Sequence, residues 1–155
     1  MPPSPAIHIV LHEPEIPQNT GNIGRTCVAL AAKLWLVRPV GFRLDDHHVR
    51  RAGLDYWEHL NLEIVDHWEM LTERLAGHRF WYFSRRGKAS FFEARFAEGD
   101  VLVFGSESKG LPESFLADTP ERALRMPMTD QVRSLNLSNC VAVAAYEVTR
   151  QRTVG

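Results

Sequence analysis

Apolar and polar positions alternate between two periods along this chain, and the switches between them mark its elements. Residues 7–11, IHIVL, form an unbroken apolar run that predicts a buried strand. NTGNIGRTCVALAAKL follows, with Ile23, Cys27, Leu30 and Leu34 at helical spacing and Asn19 or Thr20 as candidate cap. Leu34–Val37 predicts a short strand ended by Pro39. Asp45 or Asp46 can cap a short helix that runs through Arg51 and stops at Gly53. Strands are then expected at 62–65, 79–83, 101–104 and 123–126. Helices are expected over 66–76, after Pro112, and over 136–150, where Leu137, Val141, Ala144, Ala145 and Val148 form the apolar stripe. About six strands alternating with about five helices imply one α/β domain over 1–155, with a mostly parallel sheet flanked by helices.

Composition narrows the class. The 155 residues are 45% hydrophobic and 24% charged, values ordinary for a globular domain. The N-terminus MPPSPAIHIVL has neither a basic region nor a long apolar core, so no secretory leader is expected. No apolar run approaches the roughly 18 residues of a membrane span, so a cytoplasmic protein without membrane contact is expected. A net charge of −1 argues against a wholly electrostatic nucleic-acid binder. Two local basic clusters remain, one of Arg43, His47, His48, Arg50 and Arg51, the other of Arg85, Arg86 and Lys88. Cys27 and Cys140 both fall in apolar helical segments and read as reduced, buried thiols. The seven histidines show no zinc spacing, so no metal is expected.

In parallel α/β sheets ligands bind beyond the carboxyl ends of strands, so the chemistry is sought in the loops there. The first, EPEIPQNTGNIGRT, is stiffened by two prolines and carries Asn19, Asn22 and Arg25. Arg25 falls in the first turns of the predicted helix, where the dipole disfavours a cation, so a phosphate or ribose partner or a plain surface position compete. The second, LVFGSESKGLPES, places Gly105 and Gly110 at phosphate-loop spacing, but Leu111 stands where that loop requires lysine. A dinucleotide glycine fingerprint is also missing, and a nucleophile elbow at Ser108 fails because the last histidine, His78, lies upstream. What remains is a glycine-flanked loop presenting Glu107. The third, MPMTDQVRSLNLSN, gathers Arg133, Ser134, Asn136, Ser138 and Asn139 where a helix begins, and capping by Ser134 or Asn136 accounts for only one of them.

These three loops, in this order, resemble the three motifs of the SPOUT superfamily of RNA methyltransferases. The resemblance extends over nearly the whole chain and includes the intermediate RRAGLDYWE. It is strongest to the single-domain subgroup that methylates the wobble nucleotide of tRNA on the ribose 2′-hydroxyl. The resemblance implies a SPOUT fold with a C-terminal trefoil knot, S-adenosyl-L-methionine as methyl donor, tRNA as substrate, and a homodimer with the active site at its interface. It implies a catalytic set of Arg25, Glu107, Ser134 and Asn136. Cofactor contacts are implied at Phe83, Gly105, Gly110, Met126, Ser134 and Leu135. For RNA, the implied contacts are Asn19, Arg25, Arg50, Arg51 and Arg133, together with Tyr146, which also reads as a core or interface residue. Arg25 is the family's usual general base, yet a guanidinium stays protonated in proteins, so a phosphate-holding or alkoxide-stabilising role stands beside it. A different RNA target, and a non-catalytic RNA-binding protein on the same fold, remain open.

Overall fold

The computed structural model describes residues 4–44 and 56–154. The expected short helix through Arg51, and Arg50 and Arg51 themselves, lie outside the described residues.

Seven strands form one sheet. They are β1 (Ile7–His12), β2 (Lys33–Val37), β3 (Leu62–Val65), β4 (Phe80–Phe83), β5 (Ala89–Ser90), β6 (Asp100–Phe104) and β7 (Ala123–Arg125). Their order is β3-β2-β1-β6-β4-β7-β5, and every pairing among them is parallel. Four helices are described: α1 (Pro17–Leu30), α2 (Trp68–Arg74), α3 (Glu113–Ala117) and α4 (Leu137–Val154).

Strand alternation sorts the core into two layers. Ile7, Ile9 and Leu11 of β1 join Leu34, Leu36, Leu102 and Phe104 on one face, covered by Ile23 and Cys27 of α1 and by Val141, Ala144, Ala145 and Val148 of α4. Val10, Trp35, Val37, Val101 and Val103 point to the other face, covered by Leu71, Leu75 and Leu116. Burial on both faces explains why the central strands read as continuous apolar runs.

Three expectations are corrected. The first helix begins at Pro17, two residues before Asn19, and no side chain of its own caps it. Proline suits this first helical position because its missing N–H has no partner there. Arg25 therefore sits mid-helix, and the dipole argument attached to it lapses. The same helix stops at Leu30, not Leu34, because Ala31 turns left-handed (φ 54°) and its N–H closes onto Cys27 and Val28 carbonyls. Residues 33–37 are thereby released to pair with β1. Finally, β5 was not anticipated, since two residues carry no periodicity. It forms because β7 offers an open edge, with Ala89 opposite Leu124 and Ser90 opposite Arg125.

β7 lies between β4 and β5, which follow one another in the chain. The connection 84–88 must therefore cross β7, and it does so at close range: a Cβ on Gly87 would stand 2.6 Å from the Ala123 carbonyl oxygen.

Candidate active site

A cleft of about 700 Å³ opens beyond the carboxyl ends of β4, β6 and β7. It is lined by parts of all three candidate loops. Its inner wall is aromatic, with Phe83 and Phe104 stacked at a centroid separation of 4.6 Å.

Gly105, directly after β6, is the tightest point. A Cβ there would stand 2.1 Å from the Gly110 carbonyl carbon and 2.4 Å from the Leu111 nitrogen. The turn it begins is closed by the Gly110 N–H donating to Ser106 O (2.9 Å), and Gly110 adopts φ +68°. Glycine at both positions lets the loop fold back on itself beside the cleft.

Glu107 occupies the middle of that turn and faces the first loop, not the cleft's centre. Its Oε1 accepts from the Glu15 N–H (2.9 Å), and its Oε2 from the Ile16 N–H (3.0 Å) and the Asn19 side-chain amide (3.2 Å). A carboxylate here satisfies backbone donors at the start of α1 and complements the helix dipole. The segment entering α1 is thus pinned by a residue about 90 positions away. The exchange is reciprocal. The Glu15 carboxylate accepts from the Ser108 N–H (2.8 Å) and from its hydroxyl (2.7 Å). These bonds from Ser108 hold the Glu15 carboxyl below the ordinary carboxylate range. Two carboxylates therefore clasp the first loop to the second.

The third loop closes the cleft. Asn136 caps α4, its Oδ1 accepting from the Ser138 N–H (2.9 Å), the Ser138 hydroxyl and the Asn139 N–H (3.3 Å). The capping reading thus holds for Asn136, which also lines the cleft. Ser134 is exposed, and Leu135 is 41% exposed at the mouth.

Asn19, Phe83, Gly105, Glu107, Gly110, Met126, Arg133, Ser134, Leu135 and Asn136 all line this cleft. Arg25 and Tyr146 do not; Arg25 is exposed on α1 and Tyr146 is 54% exposed on α4. Several wall residues were missed as site residues. Arg86 read only as part of a basic cluster, yet it lines the cleft beside Arg85 and donates to the Leu111 carbonyl (2.7 Å), bracing the second loop. Glu15 was within the first motif, but nothing in its sequence neighbourhood pointed to Ser108. Cys140 lines the cleft and is half-buried, where a buried thiol was expected. Cys27 is fully buried, and burial pushes its thiol up to about 12.

Among the described residues, no three His, Cys, Asp or Glu side chains converge as a metal site. No helix among the described residues is long and apolar enough to cross a membrane.

Residues 6–146 match the SpoU rRNA Methylase family. The chain belongs to that family. Its relatives include the tRNA (cytidine(34)-2'-O)-methyltransferase of Methylovorus glucosotrophus, 49% identical over 144 residues, covering 92% of this chain and 94% of that one. The enzyme of the same name from Saccharophagus degradans is 46% identical over 145 residues, covering 93% and 94%. A solved structure concerned with the 2-OH methylation of C/U34 on tRNA superposes with a TM-score of 0.91 at 53% identity, covering 96% of this chain and 97% of that one. A SpoU methyltransferase from Streptomyces viridochromogenes, solved in complex with the cofactor AdoMet, shares the fold with a TM-score of 0.83 at 24% identity, covering 99% of this chain and 61% of that one. The family supports the α/β architecture and the methyltransferase reading that the three loops implied.

Proposed function

We propose that this protein transfers a methyl group from S-adenosyl-L-methionine to the ribose 2′-hydroxyl of nucleotide 34, cytidine or uridine, of tRNA. The observation that carries the reading is the convergence of all three loops on one cleft at the carboxyl edge of the sheet. Relatives 46–49% identical over nearly the whole chain are tRNA (cytidine(34)-2'-O)-methyltransferases, which supports the same substrate. We place the protein in the cytoplasm with that tRNA.

The cleft fits the methyl donor. Gly105 lets the second loop fold back tightly beside it, Phe83, Met126 and Leu135 supply apolar walls, and Gly110, Ser134 and Asn136 add polar edges. When bound, S-adenosylmethionine supplies an electrophilic methyl group on a sulfonium. The protein's own task is positioning the 2′-oxygen in line and stabilising its developing charge. Ser134 and the Asn136 amide orient the hydroxyl. The Arg25 guanidinium holds the neighbouring phosphate or stabilises the nascent alkoxide. Glu107 has both oxygens engaged by the first loop, so it acts as a positioning residue and not on the reacting atoms. Asn19 is fixed by that same carboxylate. Arg133, with Arg85 and Lys109, gives the rim a positive field suited to the RNA backbone.

We also infer a homodimer with shared sites. Arg25 and Tyr146 lie outside the protomer's own cleft, and Val143 (51% exposed) and Tyr146 (54%) form an apolar stripe on α4 with no partner among the described residues. A second copy across that face brings Arg25 to the partner's cleft. The trefoil knot is inferred likewise, from the 84–88 connection crossing β7 before the chain continues into α4. In the test, Arg25→Ala and Gly105→Ala subunits, each inactive alone, are co-expressed. Random pairing into dimers with shared sites restores about a quarter of wild-type methyl transfer to unmodified tRNA. No restoration contradicts the shared site. Label entering ribosomal RNA instead of tRNA contradicts the substrate.

A further inference from the structure

The segment that leads into β3 packs against α1 at one point. A Cβ on Gly24 would stand 3.2 Å from Leu60 Cδ2 and 3.4 Å from Trp57 Cζ3, so this glycine lets the 3-10 turn Trp57–His59 lie close on the helix. The next helix residue is Arg25, and the residue preceding the turn is Tyr56. Their side chains meet in two ways. The guanidinium carbon of Arg25 lies 4.7 Å from the Tyr56 ring centroid, and Arg25 Nη2 donates to the Tyr56 hydroxyl oxygen at 3.2 Å. The ring fixes the guanidinium against its face, while the hydroxyl fixes one end of the fork.

An exposed arginine otherwise samples many rotamers, and ordering it on substrate costs conformational entropy. Tyr56 has two rotatable side-chain bonds and is half-buried, so it is a stiff platform. We infer that Tyr56 is the positioning residue of Arg25. It pre-orients the guanidinium for RNA and leaves its remaining N–H donors free of the tyrosine contact. Because its hydroxyl accepts from Arg25, the tyrosine's own O–H remains free to donate outward. The pair also accounts for arginine over lysine at position 25, since an ammonium has no plane to lie on the ring. This inference rests on the reading of Arg25 as a residue that meets substrate.

The test compares wild type, Tyr56→Phe, Tyr56→Ala and Arg25→Ala in methyl transfer from S-adenosylmethionine to unmodified tRNA. Tyr56→Phe keeps the ring and its packing and removes only the hydroxyl. Its kcat is expected to fall roughly 3- to 10-fold, with the KM for S-adenosylmethionine within about twofold and the thermal midpoint unchanged. Tyr56→Ala loses the ring as well and falls further, by about 30-fold or more. Arg25→Ala at full rate would remove the underlying reading. Arg25→Ala inactive with Tyr56→Phe at full rate overturns this inference alone. So does a Tyr56→Phe protein whose cofactor affinity and thermal midpoint fall together with kcat, because that is the signature of a structural residue.

Discussion

Replacing Glu107 with glutamine tests the clasp that joins the first two loops. The carboxylate accepts three bonds, one at Oε1 from Glu15 N–H and two at Oε2 from Ile16 N–H and the Asn19 amide. A glutamine amide does best with its oxygen at the Oε2 position, which keeps two of the three. Its N–H₂ then faces the Glu15 N–H, donor against donor, and that part-buried N–H loses its partner, at about 1–2 kcal/mol. Loss of the negative charge at the start of α1 adds roughly 0.3–1 kcal/mol. The expected destabilisation is about 1.5–3 kcal/mol, and Glu107→Ala, which removes all three bonds, should exceed it. Urea denaturation followed by far-ultraviolet circular dichroism measures it as a lower midpoint at unchanged slope. Because the clasp sets the entry to α1, methyl transfer should fall beyond what the fraction unfolded explains. A glutamine variant within about 0.5 kcal/mol of wild type and fully active would refute the clasp as an anchor of the site.

Further predictions follow from neighbouring features. Gly105→Ala drives a methyl group into backbone at 2.1 Å, so the loop must shift; a stability loss of about 3 kcal/mol and loss of S-adenosylmethionine binding by calorimetry are expected. Asp100 is buried and its Oδ2 accepts from Trp81 Nε1 (2.7 Å), Arg79 (2.9 Å) and the Ala97 N–H (2.8 Å), so Asp100→Ala strands a buried indole N–H and should cost about 3 kcal/mol, with altered Trp81 fluorescence. His8 packs against Trp35 and His78, and burial, aided by His78 and Lys33, lowers it from 6.5 to about 4. The unfolded chain therefore takes up this proton first as pH falls. Stability intact above about pH 6.5 drains away between there and about pH 4, by at most about 3 kcal/mol; His8→Gln should flatten that limb in a pH series of urea midpoints.

The layers of the fold were legible because both-sided burial writes itself as apolar runs, and β1, β2 and β6 fell where those runs stand. Boundaries were less legible. The helix pattern through Leu34 could not reveal that Ala31 turns left-handed and ends α1 at Leu30, and two residues at β5 have no pattern to read. The site was legible as three loops, since glycines, amides and a lone glutamate cluster after strands. Its wiring was not. The bonds that Glu107 accepts from the first loop and Glu15 accepts from Ser108 join residues about 90 positions apart, and no local spacing encodes them. The position of Arg25 outside the cleft and its stack on Tyr56 depend on how the 56–60 segment packs on Gly24, which is equally non-local.

The central claim concerns one atom of one nucleotide, and mass spectrometry of tRNA fragments addresses it directly. Unmodified tRNA carrying cytidine or uridine at position 34 is incubated with the protein and S-adenosylmethionine, then digested with a ribonuclease and sequenced by fragment mass. The account predicts a single added methyl group on the ribose of nucleotide 34, lost in Arg25→Ala. A methyl group at any other nucleotide, on the base of nucleotide 34, or nowhere despite measured cofactor binding would contradict it.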